Sequence, residues 1–176
     1  MEIEKKCGCG SNAGGGMAVT PPFICGWHET DGRKIPRVGS KLDFNDIAGA
    51  LKVRLALSRN DYKVEPGLYC IGSPGSDSPV LVTANYKLTF DILRKETAGL
   101  SAWILALDTK GVNVWCAAGK GTFGTEELII KINEVDLSKI VDHKKIILPQ
   151  LGAVGVAAHL VKNATGFNVH YGPVRA

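Results

Sequence analysis

Ala102-Trp103-Ile104-Leu105-Ala106-Leu107-Asp108 is followed closely by Val112-Asn113-Val114-Trp115-Cys116-Ala117-Ala118-Gly119-Lys120-Gly121-Thr122-Phe123-Gly124-Thr125. The first run is continuously apolar and ends on a carboxylate, the pattern of a buried strand. The second places a thiol beside a large aromatic, then two alanines and a glycine run that lets backbone approach a ligand closely. Cys116 therefore belongs on the loop or short helix after a strand's carboxyl end. Open α/β sheets hold their ligands there.

Three other readings of this stretch compete. Gly119-x-Gly121-x-x-Gly124 matches the dinucleotide pattern G-x-G-x-x-G, but a cysteine-containing loop, not a strand, runs into its first glycine. A phosphate-binding P-loop fits less well, because Gly119-Lys120 is followed by Gly121 rather than Ser or Thr, and Val114 stands where the first glycine belongs. A buried structural cysteine is the commonest fate of a lone thiol. Against it, Cys116 is surrounded by small residues, which leave space above the sulfur.

Working outward, residues beyond 79 alternate between strand and helix signals. Val80-Leu81-Val82-Thr83-Ala84 suits a parallel strand, and Asn85 can cap a helix from 86 to about 97 with Leu88, Ile92 and Leu93 on its apolar stripe. After the Cys116 loop, Thr125 can cap a helix carrying Glu126 and Glu127 in its positive first turn. Ile129, Ile132 and Val135 mark the buried side of that helix. Lys145-Ile146-Ile147-Leu148 is a strand stopped by Pro149, 152–161 a helix, and 167–171 a last strand. This order predicts an α/β fold with a Rossmann-like, mostly parallel sheet flanked by helices. Loops Thr83-Ala84-Asn85, 116–122 and Pro149-Gln150-Leu151-Gly152-Ala153 then meet at one edge and form a pocket.

Ahead of that unit, 50–57 alternates as a half-buried strand, Tyr62-Lys63-Val64 resumes the alternation, and Leu68-Tyr69-Cys70-Ile71-Gly72 follows a Pro66-Gly67 turn. These read as an antiparallel meander. Pro21-Pro22, Gly26, Gly32 and Pro36 punctuate 20–40 as an irregular arm, in which Trp27 and His28 are packing residues. Residues 1–20 are glycine-rich and read as a flexible tail. Their Cys7-x-Cys9 pair is a candidate site for a soft cation such as Hg(II). The expected division is 1–40 as tail and arm and 41–176 as the functional domain.

The 176-residue chain is 45% hydrophobic and 22% charged with a net charge of +4. It is long enough for one sizeable core. No Lys/Arg cluster interleaves with aromatics, so nucleic-acid binding has no support. No secretion signal opens the chain and no apolar run is long enough to span a bilayer. Five irregularly spaced cysteines then suggest reduced thiols in the cytoplasm.

Asn113-Val114-Trp115-Cys116-Ala117-Ala118-Gly119-Lys120 resembles the cap-helix motif of the corrinoid protein of microbial mercury methylation. The likeness runs through about residues 41–175, including 78–86, 148–153 and Tyr171-Gly172-Pro173-Val174-Arg175. The chain is similar more broadly to the cobalamin-binding domain of the large subunit of the corrinoid iron-sulfur protein, in which a Thr stands at the position of Cys116. The resemblance implies a base-off cobalamin with the Cys116 sulfur as lower ligand to cobalt. None of His28, His143, His159 or His170 sits in the Asp-x-His-x-x-Gly motif that supplies this ligand elsewhere. Cofactor-binding residues on this basis are Thr83, Asn85, Asp108, Asn113, Val114, Trp115, Cys116, Ala117, Ala118, Gly119, Lys120, Gly121, Thr122, Phe123, Pro149, Gln150, Leu151, Gly152, Ala153, Tyr171 and Gly172. Trp115 is expected to pack beneath the loop as an anchor.

The coordinating form of cysteine is the thiolate, which a helix start and the metal both favour. Such a strong donor opposite a methyl group favours its departure as a carbanion equivalent, and mercuric ion is the matching electrophile. The resemblance thus implies methylmercury formation, a methyl donor such as a methyltetrahydrofolate methyltransferase, and a ferredoxin-like electron donor. It implies contact with a membrane only through a C-terminal domain outside this chain. A corrinoid methyl carrier of one-carbon metabolism and a non-catalytic cobalamin-binding module are the alternatives.

Overall fold

The computed structural model describes residues 20–44, 46, 48–49 and 62–172. Cys7, Cys9, the strand expected at 50–57 and the segment 173–176 lie outside the described residues. In chain order the strands are β1 (Ile24–Thr30), β2 (Arg33–Val38), β3 (Gly67–Ile71), β4 (Val80–Ala84), β5 (Ala102–Leu107), β6 (Lys145–Pro149) and β7 (Asn168–Gly172). They form one sheet in the order β1-β2-β3-β5-β4-β6-β7. β4 runs parallel to both β5 and β6, β7 parallel to β6, and β2 parallel to β3. The β1–β2 and β3–β5 pairs are antiparallel. This is the predicted α/β architecture, with its antiparallel strands on the N-terminal side.

All six residues of β5 are buried. Trp103, Leu105 and Leu107 enter one core layer, and Ala102, Ile104 and Ala106 enter the other. A strand covered on both faces reads as an unbroken apolar run because alternation offers no solvent side. Helix α1 (Lys87–Glu96) covers one face through Phe90 and Leu93. On the other face lie α2 (Val114–Lys120), α3 (Thr125–Glu134), α4 (Leu137–Ile140) and α5 (Ala158–Thr165), contributing Val114, Leu128, Ile132, Leu137 and Val161. From β4 the chain moves to β5 on one side and then crosses to β6 on the other. The carboxyl end of β4 is therefore the switch point where such sheets leave a crevice. Among the described residues no helix is long and apolar enough to cross a membrane.

Several local expectations are corrected. The arm expected to be irregular is the β1–β2 hairpin, closed at Asp31 (φ 48°) and Gly32 (φ 68°). Two consecutive left-handed residues make the tight turn whose twist matches the flanking strands. The two disguising features have local causes. Gly26 lies at a register shift in β1, and Pro36 precedes the β2–β3 ladder, which begins at Arg37. The meander is likewise revised: Lys63 makes only an isolated bridge to Tyr86, and β3 pairs with β2 and β5. The residue flanking α1 is Tyr86 rather than Asn85, and the helix after β6 begins at Ala158, not at 152. On α3 the buried residues are Leu128, Lys131 and Ile132, with Ile129 and Val135 partly buried.

The phase of α1 also differs from the predicted stripe, because Ile92 is exposed while Lys87, Phe90, Asp91 and Arg94 are buried. Lys87 Nζ donates to Asp46 Oδ1 at 2.7 Å and to both Asp91 oxygens at 2.6 Å. Arg94 Nε donates to Asp91 Oδ1 at 2.8 Å, and its Nη2 pairs with Asp46. The remaining Arg94 nitrogen donates to the carbonyls of Gly39 and Lys41 at 2.6 and 2.7 Å. Two cations and two anions thus satisfy one another and tie α1 to the chain after β2. Lys87 also stands 4.8 Å from the Phe23 ring centroid, a cation–π contact.

Arg94→Ala leaves two buried carboxylates sharing one cation and is expected to cost about 3–5 kcal/mol, measured by urea unfolding. Burial pushes the Asp46 carboxyl up, but the Lys87 hydrogen bond, the Asp43 backbone N–H and the two cationic charges hold it below its ordinary value. A depressed folded value contributes stability above the unfolded pKa, lost as pH falls through the folded one. Wild-type stability should therefore drop below about pH 4, and Asp46→Asn, though less stable at pH 7, should show a smaller acid-dependent drop.

Candidate functional site

β5 ends at Leu107, and the chain turns through Asp108, Thr109, Lys110 and Gly111 before α2. Lys110 (φ 57°) and Gly111 (φ 72°) are both left-handed. Asn113 then flanks α2 in an extended conformation, its Oδ1 accepting from the Cys116 N–H at 2.9 Å. This is an N-cap bond, which satisfies one of the donors that every helix start leaves open. Cys116 thus stands in the first turn of a short helix, after a strand's carboxyl end, as the sequence predicts. Val114, Ala117 and Ala118 face inward; Trp115, Gly119 and Lys120 face outward; Cys116 is half-buried between them. Gly121 closes the helix at φ 78°, and the N–H groups of Thr122 and Phe123 donate to Ala117 O at 3.0 and 3.1 Å.

The loop after β6 seats this helix. It starts as a 3-10 turn, Gln150–Gly152. A Cβ on Gly152 would lie 2.5 Å from Phe123 Cε1, and one on Gly155 would lie 2.2 Å from Phe123 O. Neither contact is sterically tolerable, so both glycines are required by close packing. Gly155 O accepts from the Thr125 N–H at 3.2 Å, and the Ala157 N–H donates to Thr125 Oγ1 at 2.8 Å. Thr125 is therefore the first residue of α3 and a tie to this loop; Gly124 holds the cap position expected for it.

The predicted site residues divide into two sets. Thr83, Asn85, Val114, Ala117, Ala118, Phe123, Gly152 and Gly172 are buried and form the bed of the edge. Asp108, Asn113, Cys116, Thr122 and Pro149 are half-buried, while Trp115, Gly119, Lys120, Gly121, Gln150, Leu151, Ala153 and Tyr171 reach its surface. The anchor role expected for Trp115 is overturned, since it is 68% exposed. With Val154 at 81%, Leu151 at 40% and Tyr171 at 39%, it gives the carboxyl edge several uncovered apolar side chains. Open space lies around the Cβ position of Gly119. Gly152, expected on the ligand face, is instead spent on Phe123.

Sequence reasoning missed Thr109, Gly111, Glu127, Val154 and Gly155. Glu127 Oε1 accepts from the Asp108 N–H at 2.8 Å. Burial pushes the Asp108 carboxyl up, but hydrogen bonds from Lys110 prevail and hold it below its ordinary value. The Gly152-x-x-Gly155 spacing was the available signal for a close approach. Cys70 sits inside β3 as predicted, its thiol pushed up to about 11 by burial.

Two clefts of about 480 and 500 Å³ open elsewhere, toward the amino-terminal ends of β4, β6 and β7. Lys145 and His170 border both. His143 Nε2 donates to Ser78 O at 2.9 Å while Nδ1 accepts from the Lys145 N–H at 3.2 Å, so both of its ring nitrogens are engaged. Among the described residues no group of three or more His, Cys, Asp or Glu could hold a metal ion by itself. Among the described residues the Cys116 edge is an open, largely apolar surface carrying one soft donor.

The family model for the CO dehydrogenase/acetyl-CoA synthase delta subunit matches residues 50–176. The chain is 37% identical over 116 residues to the acetyl-CoA decarbonylase/synthase complex subunit gamma of Methanopyrus kandleri, covering 65% of this chain and 25% of that protein. It is 32% identical over 121 residues to the corresponding subunit of Archaeoglobus fulgidus, covering 66% and 25%. The corrinoid/iron-sulfur protein large subunit of Moorella thermoacetica is 34% identical over 116 residues, covering 65% and 26%. The chain spans about a quarter of the length of these relatives. The β1–β2 hairpin lies ahead of the matched residues.

Trp115→Ala should change stability by no more than about 0.5 kcal/mol, as surface substitutions do. Gly152→Ala, pressed against Phe123, should cost about 1–3 kcal/mol. Thermal melting of the two variants side by side checks both expectations.

Proposed function

Because the chain belongs to the CO dehydrogenase/acetyl-CoA synthase delta-subunit family, we propose that it is a corrinoid-binding unit that carries a methyl group between partner proteins. The observation that carries this reading is the half-buried Cys116 thiol on α2, at an edge where Trp115, Leu151 and Val154 stand uncovered. A corrin ring is broad and apolar with amides at its rim. The exposed side chains and the open space around Gly119 fit such a face, and Asn113, Lys120, Thr122 and Gln150 supply polar groups around it. Sulfur is a soft donor suited to a transition metal. The naming of one relative as a corrinoid/iron-sulfur protein supports the same cofactor.

A bound corrinoid supplies a cobalt centre that takes up a methyl group and gives it away. The chain's own residues hold the donor in place. The Asn113 cap fixes the first turn of α2, and Phe123 with Gly155 seats the helix from below. Cys116 would act as the thiolate, the form in which sulfur binds a metal. Trp115 and Val154 would offer their exposed apolar surface to the bound group.

The relatives' names support a recipient in one-carbon metabolism of the acetyl-CoA type better than they support mercury. In this reading the partners are other subunits of a methyl-transfer complex, with a folate-type methyl donor and a ferredoxin-like reductant. A second reading is favoured by Cys116 itself. Cys116 would hold the metal through a thiolate where the broader family resemblance places a Thr. A group so held would supply a methyl of greater carbanion character, which would suit mercuric ion as recipient. Cys7 and Cys9 would then be the thiols that deliver the ion.

Reconstitution with cobalamin, followed by equilibrium dialysis and absorption spectroscopy, tests the proposal. Wild type is expected to retain cobalamin with thiolate-ligated absorption, and Cys116→Ala to retain it without that absorption. Failure of wild type to retain cobalamin would end the corrinoid reading, and identical spectra for the two proteins would end the thiolate role. Methylmercury formed on addition of mercuric ion, and lost in Cys116→Ala, selects the second recipient over the first.

A further inference from the structure

We infer that Asn85 is a positioning residue: its carboxamide sets where Cys116 stands above the sheet, without itself touching a ligand. Asn85 follows β4 directly and is 1% exposed. Its Oδ1 accepts from the Gly111 N–H at 3.0 Å and the Thr109 N–H at 3.1 Å. Thr109 Oγ1 stands 2.9 Å from the same oxygen and 2.7 Å from Val112 O, with one proton to share between them. Asn85 Nδ2 donates to Asp108 Oδ1 at 3.3 Å. The main chain of Asn85 is fastened as well, its N–H to Leu107 O at 2.9 Å and its carbonyl to the Val64 N–H at 2.8 Å.

One buried side chain just after β4 therefore gathers the turn that follows β5, bonding Asp108, Thr109 and Gly111. That turn includes the left-handed pair Lys110 and Gly111 and delivers the chain to Asn113, whose side chain caps Cys116. The only described acceptor for the Gly111 N–H is Asn85 Oδ1. A buried donor stripped of its acceptor must find another or move the turn. Moving the turn moves Asn113 and the Cys116 sulfur with it. Aspartate would not substitute, because it loses the donor to Asp108 and sets a second carboxylate beside the first. Asn85 is buried beneath the edge, so this role is separate from the ligand contact that its place in the loop suggests. The inference rests on the corrinoid reading only for why the sulfur's position matters.

The test compares wild type with Asn85→Ala, and with Asn85→Asp should the first fail to fold. Circular dichroism first establishes that the variant keeps its secondary structure. Iodoacetamide labelling of the cofactor-free protein, followed by peptide mass spectrometry, then gives the Cys116 alkylation rate. The exposed Cys25 on β1 is the internal reference. The Cys116-to-Cys25 rate ratio is expected to change by roughly tenfold, as loss of a buried hydrogen bond allows. After reconstitution the variant should retain cobalamin but lose thiolate-ligated absorption. An unchanged ratio in a folded variant overturns the inference, as does an equal rise at both cysteines, which would mark a general loosening. A changed ratio in a protein whose wild type never binds cobalamin leaves Asn85 as positioner and removes the corrinoid reading instead.

Discussion

Both faces of β5 are buried, and much else in the molecule follows from that constraint. A strand from Ala102 to Leu107 with no solvent side needs a helical layer above and another below. It needs hydrogen-bonding neighbours on both edges, which β3 and β4 provide. Polar side chains can then enter only where the strand stops. Asp108, Thr109 and Asn113 crowd the carboxyl end for that reason, and the Cys116 thiol stands a few residues farther on.

The small residues around Cys116 serve a different purpose from the one their composition suggests. Gly152 and Gly155 bring the loop after β6 against Phe123 and Ala118, which makes α2 a seated element rather than a loose cap. The apolar surface offered to a ligand comes instead from large side chains, with Trp115 and Val154 foremost. Seating by small residues and display by large ones belong together. A helix held tightly from below can afford exposed aromatic surface above, where a partner or cofactor covers it.

A second tie operates on the opposite face. Lys87 and Arg94 are buried with Asp46 and Asp91, so α1 is fastened by charge as much as by Phe90. Each ion is tolerable there only because the others are present, and loss of any one leaves an uncompensated charge. This couples the chain after β2 to the helix following β4. It also places the depressed Asp46 carboxyl on the face of the sheet opposite α2.

The amino-acid sequence alone determined the α/β class, the buried β5, the strand–helix alternation after residue 79 and the placement of the loops after β4, β5 and β6 at one edge of the sheet. These are readable because apolar runs, turn residues and strand ends are local signals with a fixed period. Asp31-Gly32 carried a hairpin signal of the same kind, obscured by Gly26 and Pro36. Tertiary structure decided which way each side chain faced. Trp115 points outward because Val114, Ala117 and Ala118 already fill the inner side of a seven-residue helix. Lys87 and Arg94 point inward because Asp46, far away in the chain, meets them there. Asn85 does not cap the nearby α1 because the turn after β5 offers its carboxamide more partners. For Lys87, Arg94 and Asn85 the deciding group lies across the fold, and burial of such a polar side chain is settled by that distant partner rather than by its sequence neighbours.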